Sequence, residues 1–158
     1  MEPLRTYFGC ALNDPPIDFI ERFSRFKDKF RELSWIKVLD FCAPLPGEQC
    51  SRLSNVAIYK NDIIDGVSTA HALVFDVSHP TSGGGFELGF GAKGLNVPTY
   101  MGCIKDAKPS SLLLGAAEYE KHIFIEYYEE DINELFEKIR EWLSTVHTAQ
   151  QFVDALDS

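Results

Sequence analysis

The 158-residue chain contains no run of lysine or arginine, and its 15 basic residues are outnumbered by 24 acidic ones, giving a formal net charge of −9. Without a basic track to neutralise a phosphate backbone, DNA and RNA polymers are poor candidates for its main ligand. No stretch approaches the ~18 apolar residues of a membrane span, and the opening MEPLRTYFGC lacks the apolar centre of a secretion signal. A cytoplasmic protein that does not enter a membrane is expected. Cysteine is sparse and never arranged as C-x-x-C, and His71, His79, His122 and His147 are dispersed, which argues against a zinc site. Three of the four cysteines lie in or beside apolar runs and read as small buried hydrophobes, not reactive thiols. Internal repeats and low-complexity tracts are absent. So are the common phosphate motifs: no G-x-x-x-x-G-K-[ST] occurs, and Gly83, Gly85 and Gly89 are spaced G-x-G-x-x-x-G after the third strand instead of the first.

What is present suits one domain over residues 1–158, since 45% hydrophobic and 13% aromatic residues are ample for a single core. LRTYFGCAL reads as a first strand, and Asp14 with Pro15 as the start of a helix that places Phe19, Phe23, Phe26, Phe30 and Leu33 on one face. WIKVLDFC is a second strand, followed by the Pro- and Gly-bearing connection APLPGEQCSRLSN. Val56, Tyr59, Ile63, Ile64 and Val67 share a helical face in the next segment, with Asp65 turned away and Asp62 about 60° from Tyr59, at its edge. HALVFDV, VPTYMGCI and HIFIEYY supply three more strands. A final helix aligns Ile132, Leu135, Phe136, Ile139, Trp142 and Leu143. This alternation predicts a flavodoxin-like α/β sandwich with a five-stranded parallel sheet in the order 2-1-3-4-5. The ligand crevice of such a sheet lies beyond the carboxyl ends of the first and third strands, which brings Tyr7 and Glu87 together.

Glu87 follows the stretch HPTSGGGF, and a helix is expected to begin close to it. In a first helical turn the macrodipole favours the ionised carboxylate, which in a crevice serves as a nucleophile or as a brace for a developing cation. The plainer alternative is that Glu87 only improves its own helix. The glycines let a ligand approach the backbone closely, and Gly85, Gly89 and Ala92 offer a small face for packing. Asp76 either reaches the crevice or caps the glycine stretch. Asp62 is either a ligand contact or a solvated flank residue, and Tyr7 either a hydrogen-bond donor or a core aromatic.

TYFGCAL from Thr6, IYKNDIIDGVSTAHALVFDV from Ile58 and TSGGGFELGFGAKGLNVPTYM from Thr81 together resemble the nucleoside 2-deoxyribosyltransferase family, including its relatives that hydrolyse deoxynucleoside 5'-monophosphates. The family's first-strand tyrosine, the aspartate of its I-x-x-x-D segment and the glutamate of its G-x-G-x-x-E-L-G motif match Tyr7, Asp62 and Glu87. The resemblance implies retaining N-glycosyl chemistry: Glu87 attacks C1' of a 2'-deoxynucleoside, Tyr7 orients it, and Asp62 binds the sugar or assists proton transfer to the leaving base. Gly9, Thr81, Gly83, Gly85 and Ser110 are the implied substrate contacts. Ser110, with Ser111 as the competing alignment, corresponds to a serine that family members lend to a neighbouring subunit, so a homo-oligomer is implied. The implied partners are a nucleoside or nucleotide and a free base, and no metal or organic cofactor is called for. Two departures bear on substrate. Thr81 stands where transferases often carry an acid and the hydrolases a serine, and GCALNDPP lacks the hydrolases' phosphate-holding serine and arginine while carrying Asp14. The acidic loop disfavours a dianion. A binding or sensing module without turnover is the alternative from another class. A flavin carrier would need a phosphate loop that GCALNDPP does not provide.

Overall fold

The computed structural model describes residues 2–10, 16–39, 53–79 and 81–156. Five parallel strands, β1 (Leu4–Gly9), β2 (Ile36–Leu39), β3 (Ala72–Asp76), β4 (Thr99–Ile104) and β5 (Ile123–Tyr128), form one sheet in the order β2-β1-β3-β4-β5. This is the expected flavodoxin-like order. Tyr7 pairs with Leu73, and Gly9 with Phe75, so the carboxyl ends of β1 and β3 finish side by side.

Alternation along each strand sends successive side chains to opposite faces and creates two cores. Phe8, Val74 and Tyr100 point to one face, where they meet Phe23, Phe26 and Phe30 of helix α1 (Ile17–Arg31) and Ile139 and Leu143 of helix α5 (Phe136–Leu156). Tyr7, Leu73, Phe75 and Met101 point to the other, beneath Ile63, Val67, Leu88 and Ala92. The phenylalanine stripe of α1 is therefore core, as its spacing predicts. Lys27, between the phenylalanines of α1, is 2% exposed with its ammonium 5.5 Å from the Phe23 ring centre. Pro16 holds the N-cap position of α1, while Asp14, Pro15 and most of APLPGEQCSRLSN lie outside the described residues.

The second sequence helix departs from its expected geometry. Ser54 caps helix α2 (Asn55–Tyr59), its hydroxyl accepting from the Ala57 amide at 3.2 Å, but the chain then widens into π-helical turns over Lys60–Gly66 and tightens to a 3-10 turn over Val67–Thr69. Wider turns break the 3.6-residue repeat. Of the predicted apolar face only Ile63 and Val67 are buried, whereas Val56 is 77%, Tyr59 50% and Ile64 47% exposed.

The glycine stretch is also helical, not a loop. Thr81 caps helix α3 (Ser82–Leu88) by accepting from the Gly84 amide at 3.0 Å, and π-helical turns continue it over Gly89–Gly94. Gly83 to Gly85 thus form the first turn, and Glu87 lies in the second, one turn later than the sequence suggests. The widened turns also change which small residues pack on the sheet. A Cβ on Gly85 or Gly89 would meet nothing within 4 Å, but on Gly91 it would come within 2.6 Å of Leu73 and 2.7 Å of Val67. Gly91 replaces Gly85 and Gly89 in that role. Asn96, at φ 57°, completes the exit from the helix. Helix α4 (Ser111–Tyr119) links β4 to β5, and a capping box of Asp131 and Glu134 opens the last helical segment.

Candidate active site

Tyr7 and Glu87, eighty positions apart, meet at the mouth of the crevice: the Tyr7 phenol donates to Glu87 Oε2 at 3.1 Å. Tyr7 reaches this position because β1 sends it to the α2/α3 face and because Gly66 leaves room for its ring. A Cβ at Gly66 would stand 2.8 Å from that ring. The phenol is therefore both a buried aromatic and a donor.

Glu87 is not held by the helix N-terminus, since the first-turn amides of α3 lie ahead of it, with Gly84 and Gly85 donating to the Thr81 hydroxyl and carbonyl. Its carboxyl is pushed up to about 7, first by burial and then by the charge of Asp62, with the Tyr7 hydrogen bond opposing both. The expectation of a dipole-favoured anion is corrected accordingly. Burial likewise raises Asp62, which the π-helical turns place partly buried beside Glu87. The Asp62 charge makes Glu87 harder to ionise, whereas the phenol favours its ionised form. That arrangement brings a carboxylate able to act as a nucleophile within the electrostatic reach of a second carboxyl able to relay a proton.

The glycines define the surface around this trio. A Cβ on Gly83 would meet nothing within 4 Å, so bare backbone lies open one turn ahead of Glu87. On the other flank of α3 is a cavity of about 230 Å³, edged by Thr81, Gly84, Gly85 and Ser110 over an apolar floor that includes Phe75 and Leu88. Ser110 faces its own chain's cavity and accepts from the Leu113 amide at 3.3 Å as the cap of α4; Ser111 is the first helical residue. Gly9 has a packing reason, because a Cβ there would stand 2.2 Å from the Phe75 ring.

Asp76 does not cap the glycine stretch; Thr81 does. The Asp76 carboxylate is 3% exposed, accepts from the Ser78 amide at 2.9 Å and from the Tyr128 hydroxyl, and Ser78 Oγ in turn accepts from the Ile104 amide at 2.8 Å. This network ties β3 to β4 and β5 at the cavity wall. Sequence reading missed Tyr128 because nothing local links it to Asp76, fifty-two positions away. It also missed His79, which lines the cavity with its ring 4.6 Å from Phe19. Burial pushes the Cys10 thiol up to about 12 and Cys103 up to about 11, so neither is a nucleophile at neutral pH. Cys42 and Cys50 lie outside the described residues, among which no three His, Cys, Asp or Glu side chains gather to hold a metal ion.

No protein-family model and no curated protein matches the chain. Among solved structures it is similar to a conserved protein from Enterococcus faecalis V583, with 13% identity over 88% of this chain and 98% of that one and a TM-score of 0.54. At that identity the likeness shows the shared fold.

Proposed function

We propose that the protein is a nucleoside 2-deoxyribosyltransferase that cleaves the N-glycosidic bond of 2'-deoxynucleosides and passes the sugar to a second base. The observation that supports this reading most is the Tyr7 to Glu87 hydrogen bond of 3.1 Å with Asp62 alongside, one turn beyond an uncovered glycine surface. In the proposed reaction the Glu87 carboxylate bonds to C1' as the C1'–N bond breaks. The released electron pair stays on the base nitrogen, which takes a proton from water by way of Asp62. Negative charge beside C1' stabilises the oxocarbenium-like transition state, and the Tyr7 phenol fixes the attacking oxygen. A second base then bonds to C1', returns its proton through Asp62 to water and frees Glu87.

The alternative, hydrolysis of deoxynucleoside 5'-monophosphates, draws on the Thr81 and Ser110 hydroxyls at one cavity. Against it, that cavity has no lysine or arginine among its described lining and includes the Asp76 carboxyl, a poor setting for a dianion. Incubation with 2'-deoxynucleosides, with and without a second free base, and in parallel with the monophosphates, distinguishes the two. Exchanged nucleoside supports the transferase, and free base from monophosphates alone supports the hydrolase. Ligand binding without any product contradicts both.

A further inference from the structure

The cavity of about 230 Å³ adjoins Glu87 on the side away from Asp62. Asp62 belongs to the crossover from β2 to β3, which covers the β1 side of the sheet, whereas Ser110 and Leu113 open the crossover from β4 to β5. The Cys10 thiol in the cavity wall is within electrostatic reach of Glu87 and Asp76, and Glu87 in turn is within reach of Asp62. A nucleoside seated with C1' at Glu87 and its base towards Asp62 therefore directs the 5' end of its sugar to the cavity.

The walls indicate what that end carries. Thr81 Oγ1 accepts from the Gly84 amide at 3.0 Å and Ser110 Oγ from the Leu113 amide at 3.3 Å, so each hydroxyl keeps its proton to donate. Beneath this rim lie Phe75, Val77, Leu88 and Leu113. The Asp76 oxygens are taken by the Ser78 amide and the Tyr128 hydroxyl, and His79 acts on the same carboxyl. No lysine or arginine is among the described lining; Lys27, whose charge also reaches Cys10, is buried against the Phe23 ring. Two donors above an apolar floor fit an acceptor atom followed by a small alkyl group. A free 5'-hydroxyl would satisfy the rim alone, leaving unfilled a volume several times the ~30 Å³ share of one water.

We propose that the preferred substrates are 2'-deoxynucleosides whose 5' position carries an uncharged alkyl ether or alkyl thioether. The heteroatom accepts from Thr81 and Ser110, and the alkyl group rests on Phe75 and Leu88. This substrate class rests on the deoxyribosyl transfer proposed above and adds no step to it: the same C1'–N bond breaks, and the 5' group stays on the sugar throughout.

Base exchange with the 5'-hydroxyl, 5'-O-methyl, 5'-methylthio and 5'-phosphate forms of one 2'-deoxynucleoside, together with their equilibrium binding to the Glu87→Gln variant, tests it. Both kcat/KM and affinity should be roughly tenfold higher for the methyl-capped forms than for the hydroxyl form, and lowest for the phosphate. The two capped forms separate an oxygen acceptor from a sulfur one. A Cβ at Gly85 meets nothing within 4 Å, so Gly85→Leu can grow into the cavity and should bring the capped-to-uncapped ratio down to about one. Should that variant misfold, Val77→Thr keeps the shape, makes the floor polar and should lower the same ratio. Exchange of the hydroxyl form with equal or poorer use of both capped forms overturns this substrate class and leaves the transferase reading standing. Preferential binding of the capped forms without exchange of any form supports the cavity assignment and overturns the transferase. Binding of none of them overturns both, and a ratio unmoved by either variant overturns the cavity assignment.

Discussion

The Tyr7 phenol donates to Glu87 Oε2 at 3.1 Å, so the first strand and the third helix share one hydrogen bond at the crevice. A hydrogen bond to a charged group contributes about 1.5–3 kcal/mol. Tyr7→Phe should therefore lower kcat roughly 10- to 100-fold while leaving the fold intact, and should raise the pH at which Glu87 ionises, because the phenol favours its anion. Steady-state rates across pH check both effects; an unchanged acid limb would show that the phenol does not act on Glu87.

The rate should fall as the pH drops below about 7, because Glu87 must be ionised to attack and its pKa is raised to that value by burial and by Asp62. The Asp62→Asn variant should keep an acid limb displaced to lower pH, since the repelling charge is gone, and turn over more slowly because the proton relay to the leaving base is lost.

Stability carries the opposite signature of the same pKa. A carboxyl raised on folding binds its proton more tightly in the folded state, so it favours folding at low pH and opposes it as the pH rises from its ordinary value through about 7. Glu87→Gln should stabilise the protein at pH about 8 by on the order of 1–3 kcal/mol, give no gain near pH 4, and lose activity at least ~10³-fold. Urea unfolding at the two pH values measures the difference.

Glycine substitutions should separate fold from function. Gly83→Ala and Gly85→Ala place a methyl in open space on a helix, so each should stabilise by roughly 0.5–1 kcal/mol, and Gly83→Ala should also slow turnover by obstructing the surface ahead of Glu87. Gly66→Ala and Gly91→Ala instead press into Tyr7 or into Leu73 and Val67, and should destabilise by about 1–3 kcal/mol. Thermal melts with parallel rate measurements test all four.

The sheet order was legible because each buried strand is a short apolar run and each intervening segment is long enough to cross over. The meeting of Tyr7 with Glu87 followed from that order alone. Sequence periodicity misjudged α2 and α3, because a 3.6-residue template cannot register π-helical turns: Asn55–Gly66 hid the exposure of Val56 and Ile64, and Gly89–Gly94 hid the packing role of Gly91. The start of α3 was misplaced for another reason. Three glycines are poor helix formers, and the Thr81 cap offsets part of that deficit only in the folded chain. Asp76 was ambiguous until Tyr128 and Ser78, brought in by β5 and by the turn after β3, occupied its oxygens.

The most direct test of Glu87 as the nucleophile is to mix the protein with a 2'-deoxynucleoside, quench in acid and measure the mass of the intact chain and its peptides. A covalent 2-deoxyribosyl ester on the peptide containing Glu87, absent in Glu87→Ala, is the predicted result. Base release that continues in Glu87→Ala, with no adduct on the unmodified sequence, would contradict it.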